Sequence, residues 1–343
     1  MAKIDKLLDN MDISRVSDIH ITSGLTPMVR IDGNLLNAYE DPIPHEVVEE
    51  YIKDMMPSKF EEFLKNGEID FKYNRPGLSN FRVNAFKCKG AYAICMRVIK
   101  ENIPKLSDIS DARALREFTE LKDGLVLVTG PTGSGKSTTL AAMLNEINLT
   151  KEKHIITLEE PIEYIYETKK SMVNQREVGE DTQSYAMGLK AALRQDPDVI
   201  LVGEMRDPET IEIALRAAQT GHLVFSTLHN MGAANSIYRI INSFESGHQN
   251  EVKIQLSSLL RGVVSQVLLP RASGKGRTAA MEIMVCTPSI KNLIREGSYE
   301  QINSFIQIGA KFGMQTIDTD LRKLVNSNVI SRQEYERWVR SNR

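Results

Sequence analysis

Only three cysteines, Cys88, Cys95 and Cys286, occur in the 343 residues, and no two form a CxxC pair. A tetrahedral four-cysteine zinc site within one chain is thereby excluded, and reduced, buried thiols are the expected state. Charge of one sign is scarce too: 43 Lys and Arg stand against 45 Asp and Glu, a formal net charge of −2, without a long basic or acidic block. That balance weakens a DNA-motor reading, and no nucleic-acid partner is expected. Long apolar runs are also missing, so no direct membrane insertion is expected. The opening MAKIDKLLDNMDISR is too charged for a signal peptide, which makes the cytoplasm the expected compartment.

What is present is ordinary globular material, 41% hydrophobic and 26% charged, long enough for two domains with separate cores. Residues 17–36 alternate in short runs around Gly24, Pro27 and the hairpin signal Asp32-Gly33. A helix is expected over 45–64, then three strands separated by Pro76-Gly77 and Gly90. This predicts an α+β first domain over 1–100, with a polar connector at 101–118. From 119 onward, apolar strands alternate with amphipathic helices, the pattern of a parallel α/β sheet. Strands are expected at 125–130, 154–160, 199–204 and 223–229. A helix over 208–220 is punctuated by Asp207 as cap, Pro208 at its first position and Gly221 at its end. VVSQVLLP and TAAMEIMVC predict a hairpin around RASGKGR, whose Gly-Lys lacks the rest of a phosphate motif and reads as a flexible turn. Residues 289–343 are expected to be helical, the last helix opening with a capping box from Ser331 to Glu334.

The segment GPTGSGKST fits G-x-x-x-x-G-K-[ST] with Gly130, Gly135, Lys136 and Ser137, with Thr132, Gly133, Ser134 and Thr138 in and beside the loop. It follows an apolar strand and opens a helix, so backbone N–H groups and the helix dipole converge on one point. Glycine is required where a Cβ would keep the backbone from a phosphate. Lys136 is expected to reach the β- and γ-phosphates of ATP, and Ser137 to bind Mg²⁺.

Ligands of parallel α/β sheets bind beyond the carboxyl ends of the strands. The second strand, in IITLEEPIEY, runs into Glu159, Glu160 and Glu163; the third, read as lying beside the loop strand, ends at Glu204, and the fourth at His229. Glu204 is expected in the Mg²⁺ shell, Glu163 to polarise the attacking water, and Glu159 or Glu160 to support the metal from behind. His229, and with it His222, are candidates to sense the γ-phosphate. No arginine of the second domain obviously follows the phosphate loop as a finger, whereas Arg82 and Arg97 lie on first-domain strands. A site completed across an interface, and hence a ring, is expected.

At this point GPTGSGKST, LEEPIEY, VNQREVG, ALRQDPDVILVGEMRDPETI and AAQTGHLVFSTLH resemble the Walker A, Asp box, Walker B and His box of the secretion ATPase superfamily. SDIHITSG and FRVNAF match its N-terminal PAS-like domain, and SIKNLIREG with GMQT resemble the C-terminal signature of its type IV pilus retraction ATPases. The resemblance implies a PAS-like α+β domain followed by a RecA-like P-loop ATPase domain (119–343) with a C-terminal helical region. It further implies a homo-hexamer at the cytoplasmic face of the inner membrane, hydrolysing ATP with Mg²⁺ on an inner-membrane platform protein to power pilus retraction and twitching motility. Under it Lys136 and Ser137 bind nucleotide, Glu204 is the Walker B acid, Glu163 is catalytic, His222 and His229 form the His box, and Arg82 and Arg97 act in trans. The chain departs from the pattern at Glu160, usually aspartate, and at Ser289 and Lys291, usually alanine and arginine. Assembly and type II secretion ATPases, the alternative, usually carry a four-cysteine zinc element and a longer N-terminal region. A nucleotide switch with negligible turnover is the rival from another class, and it has no need of Glu163.

Overall fold

The computed structural model describes residues 3–99 and 102–341. The chain divides into two compact units, Met1–Glu101 and Asn102–Arg343. In the first, β1 (Val16–Thr22), β2 (Met28–Ile31), β3 (Asn34–Asn37), β4 (Glu68–Arg75), β5 (Ser79–Cys88) and β6 (Ala91–Ile99) form an antiparallel sheet of order β3-β2-β1-β6-β5-β4. Side chains alternate across a strand. Ile19, Ile21, Val83, Ala85, Ile94 and Met96 are therefore buried with Val48, Ile52, Phe60 and Phe63 of the helical layer. The helix expected over 45–64 is two helices, His45–Met55 and Phe60–Asn66. Pro57, lacking an N–H, opens a single 3-10 turn between them.

The second unit is built on a sheet of order β13-β12-β7-β11-β10-β8-β9. Its strands are β7 (Gly124–Thr129), β8 (His154–Glu159), β9 (Met172–Glu177), β10 (Val199–Val202), β11 (Leu223–Leu228), β12 (Leu260–Pro270) and β13 (Arg277–Val285). All neighbours are parallel except β12 and β13, the expected hairpin. Every residue of β7, β10 and β11 is buried, as strands covered on both faces require. Leu125, Leu127, Ile200, Val202 and Val224 face the helices Pro208–Gln219, Ala233–Asn242 and Pro288–Glu296. Val126, Val128, Leu201 and Phe225 face the helix Lys136–Thr150 on the other side. Of the expected connector, residues 102–118 group with this unit, where Leu106, Leu115 and Phe118 join the second of these cores.

The caps fall where the sequence puts them. Asp207 accepts from Thr210 N, with Pro208 at the first turn, and Ser331 Oγ accepts from Glu334 N at 3.2 Å. The edge strand β9 and the helix Tyr185–Ala192 were not anticipated, because VNQRE is too polar to read as a strand. Among the described residues no helix is long and apolar enough to cross a membrane.

Candidate functional site

The carboxyl ends of β7, β8, β10 and β11 meet at one cleft of about 350 Å³. The phosphate loop forms its floor. Gly130 adopts φ +145°, and a Cβ there would lie 2.3 Å from Gln266 O of β12. Gly133 and Gly135 also have positive φ, a conformation glycine reaches without strain. Gln266 Nε2 donates to Ser134 O at 2.7 Å and braces the loop from β12. Thr132, Gly133, Gly135, Lys136, Ser137 and Thr138 line the cleft, while Ser134 is buried beneath it.

Lys136 is 8% exposed, and its Nζ donates to Gly130 O at 2.8 Å and Pro131 O at 3.1 Å. Burial holds the ammonium below its ordinary pKa, and Glu163 and Glu204 pull it back up. Ser137 Oγ donates to Glu163 Oε1 at 3.0 Å. Thr138 Oγ1 lies 2.9 Å from the Tyr164 hydroxyl.

The glutamates differ in setting. Glu163 and Glu160 are exposed on the cleft wall. Glu159 is turned inward, where its Oε1 accepts from Thr157 Oγ1 at 2.6 Å and from Gln175 Nε2 at 3.2 Å. Burial raises its pKa, and those two bonds oppose the rise. Glu204 is 7% exposed, and its Oε2 is shared by His229 Nε2 at 2.9 Å and Arg206 Nε at 2.7 Å. The Tyr185 hydroxyl, raised in pKa chiefly by burial and then by Glu204, lines the same wall.

Three expectations are corrected. Glu204 follows β10, which is separated from the loop strand β7 by β11 rather than lying beside it. His222 does not enter the cleft. It precedes β11 at the amino end, opposite the phosphate loop, where its Nδ1 lies 2.9 Å from Ala217 O and 3.1 Å from Thr220 Oγ1. The second unit also does carry arginines at the site, for Arg206 and Arg277 both line it. Arg206 stands two residues past Glu204, and that proximity was the available signal. Gln266 could have been found as a polar residue within the mostly apolar run VVSQVLLP, where, once buried, it needs a partner.

Arg82 and Arg97 belong to the first unit, as a directly paired position on β5 and β6. Arg97 Nε donates to Asp18 Oδ1 at 2.9 Å with its side chain 63% exposed, and Arg82 Nε lies 3.8 Å from Asp70 Oδ1.

The residues present fit a nucleotide and a hard divalent ion. The loop is packed so closely on Gln266 and Ser134 that no Cβ fits at Gly130, which fixes its backbone beneath the cleft, and the Ser137 hydroxyl with the Glu163 carboxylate beside it are oxygen donors of the kind Mg²⁺ takes. A glycine loop between a buried strand and a helix, facing carboxylates on neighbouring strand ends, defines a P-loop nucleoside triphosphatase. The chain belongs to the type II/IV secretion system protein family, whose model matches residues 2–337. It is 48% identical over 321 residues to the type IV pilus retractation ATPase PilT of Pseudomonas aeruginosa, covering 92% of each chain. Over 328 residues it is 44% identical to a twitching motility protein of Neisseria gonorrhoeae, covering 94% of this chain and 88% of that one. A crystal structure of the pilus retraction motor PilT with bound ADP is similar at a TM-score of 0.88 and 43% identity, covering 97% of this chain and 96% of the other.

Proposed function

We propose that this chain is the ATP-hydrolysing motor that withdraws type IV pili, working as a homo-hexameric ring. It would sit at the cytoplasmic face of the inner membrane against a platform protein of the pilus machine. The first unit is read as a PAS-like domain and the second as a RecA-like domain. The observation that carries the chemical part is the convergence of Ser137, Glu163 and the His229–Glu204 pair on one phosphate loop. Likeness over nearly the full length to a retraction ATPase supports the mechanical part.

In this reading the N–H groups of the loop hold the phosphates, and Lys136 exchanges the carbonyls of Gly130 and Pro131 for phosphate oxygens. Ser137 and Glu204 would hold Mg²⁺, which when bound neutralises the charge on the phosphates. Glu163 orients the attacking water and takes up its proton, with Glu159 and Glu160 supporting the wall behind it. His229, bonded to Glu204, passes the state of the site to the helix Ala233–Asn242. Arg82 and Arg97 supply positive charge from a neighbouring subunit. His222, at the far end of β11, lies away from the phosphate loop of its own chain, and its expected sensing role is left to His229.

The output is tested in cells carrying Lys136→Ala as the only copy. A retraction motor predicts pili that persist on the surface and never shorten. Loss of surface pili would instead mark an assembly motor, and normal retraction would sink both readings.

A further inference from the structure

The chain that leaves His229 is fastened to the sheet by two hydrogen bonds. Gly232 N donates to Ser265 Oγ of β12 at 2.8 Å, and Ala233 N donates to Glu282 Oε1 of β13 at 2.8 Å. Ser265 and Glu282 face each other as a directly paired position of the hairpin, so the two bonds act together. The need for them is local. The helix Ala233–Asn242 has Gly232 at its N-cap, which offers no side-chain acceptor, and the first N–H groups of a helix have no partner within it. A carboxylate from another strand takes the place of a capping side chain and meets the positive end of the helix dipole.

Glu282 is half-buried, and its bond runs to a helix start rather than to a cation. Burial raises its pKa while the Ala233 N–H lowers it. Residues on either side tie the same strand to the C-terminal segment: Met281 N donates to Asp320 Oδ2 at 2.8 Å, and Ile283 N to Gln315 O at 2.8 Å. Three residues separate Ala233 from His229, whose ring rests on Glu204.

We propose that Glu282 is a positioning residue for ATP hydrolysis: by clasping the start of the helix Ala233–Asn242, it holds His229 against Glu204 at the phosphate end of the cleft. The inference rests on the reading of His229 and Glu204 given above. It makes β13 the common anchor of the histidine loop and the segment 315–320.

The test is steady-state ATP turnover by the full chain, comparing Glu282→Ala, Glu282→Gln, His229→Ala and the double variant His229→Ala with Glu282→Ala. The clasp predicts that Glu282→Ala lowers kcat about tenfold with KM for ATP within about twofold. Glu282→Gln keeps an acceptor oxygen and restores most of the rate. In the His229→Ala background, Glu282→Ala adds less than about a twofold loss, because both act through one contact. A wild-type kcat for Glu282→Ala, a glutamine variant as impaired as alanine, or losses that multiply in the double variant would each overturn the clasp. Wild-type turnover by His229→Ala would remove the reading of His229 and the clasp with it, whereas loss in His229→Ala and none in Glu282→Ala removes the clasp alone. Should Glu282→Ala not fold, Ser265→Ala deletes the neighbouring bond and is held to the same kcat, KM and double-variant criteria.

Discussion

The Ser137 hydroxyl donates to Glu163 Oε1 at 3.0 Å, joining the first turn of the phosphate-loop helix to the loop that follows β8. In the proposed mechanism the alcohol would hold the metal and the carboxylate the water, so the two roles share one contact. Replacing the carboxylate while keeping its shape separates binding from chemistry. Glu163→Gln is expected to bind ATP within about twofold of wild type and to lose at least about 10²-fold in turnover. Stopped turnover with intact binding in a fluorescent-nucleotide assay supports the assignment; unchanged turnover rules it out.

Arg206 and His229 both contact Glu204 Oε2, so a cation already occupies the oxygen that a divalent ion would approach. Arg206→Ala removes that competitor, and the Mg²⁺ concentration giving half-maximal turnover should fall. Glu204→Gln should raise it, because a neutral amide is the poorer partner for a hard cation. A Mg²⁺ titration of both variants decides the matter, and a higher requirement in Arg206→Ala would contradict it.

Gly130 tests the cradle. An alanine there would combine a strained φ of +145° with a Cβ placed 2.3 Å from the Gln266 carbonyl, which belongs to a paired strand and cannot move aside cheaply. The expected cost is on the order of 1–3 kcal/mol in stability, together with loss of nucleotide binding. Thermal unfolding with and without ATP measures both, and a wild-type melting temperature would show that the loop has room.

Glu159 gives a pH dependence. Its folded pKa is raised by burial, so its contribution to stability is greatest below the unfolded carboxyl range and is lost as pH rises through the folded value. Glutamine keeps an acceptor for Thr157 and Gln175 without the charge. Glu159→Gln should therefore melt above wild type near about pH 8, with the difference gone near about pH 4. A difference that grows on acidification would refute the inward, protonation-prone setting of this carboxyl.

Much of this site was legible because its parts sit at the ends of buried strands. The runs that end at Thr129, Glu159, Val202 and Leu228 are apolar and short, and the next polar residue in each case falls on the cleft edge or just beyond it. Strand order was not legible. No local signal in VILVGE tells that β11 separates β10 from β7, since that depends on where the crossover helices pack. His222 and His229 look equivalent in GHLVFSTLH, yet the six residues of β11 carry them to opposite ends of the sheet. Arg277 reaches the cleft, and Gln266 the underside of its loop, through tertiary packing, so their spacing from the phosphate loop carried no sign of it, whereas Arg206 stands beside Glu204 in the chain.

The most direct test of a motor with shared sites is ATP turnover measured against protein concentration for wild type, Arg97→Ala, Lys136→Ala and a mixture of the two variants. The account predicts turnover that rises more than linearly with concentration, is lost in each variant alone, and is partly recovered in the mixture, where one subunit supplies Arg97 and its neighbour Lys136. Turnover strictly proportional to concentration and indifferent to Arg97 would contradict it and define a self-contained ATPase.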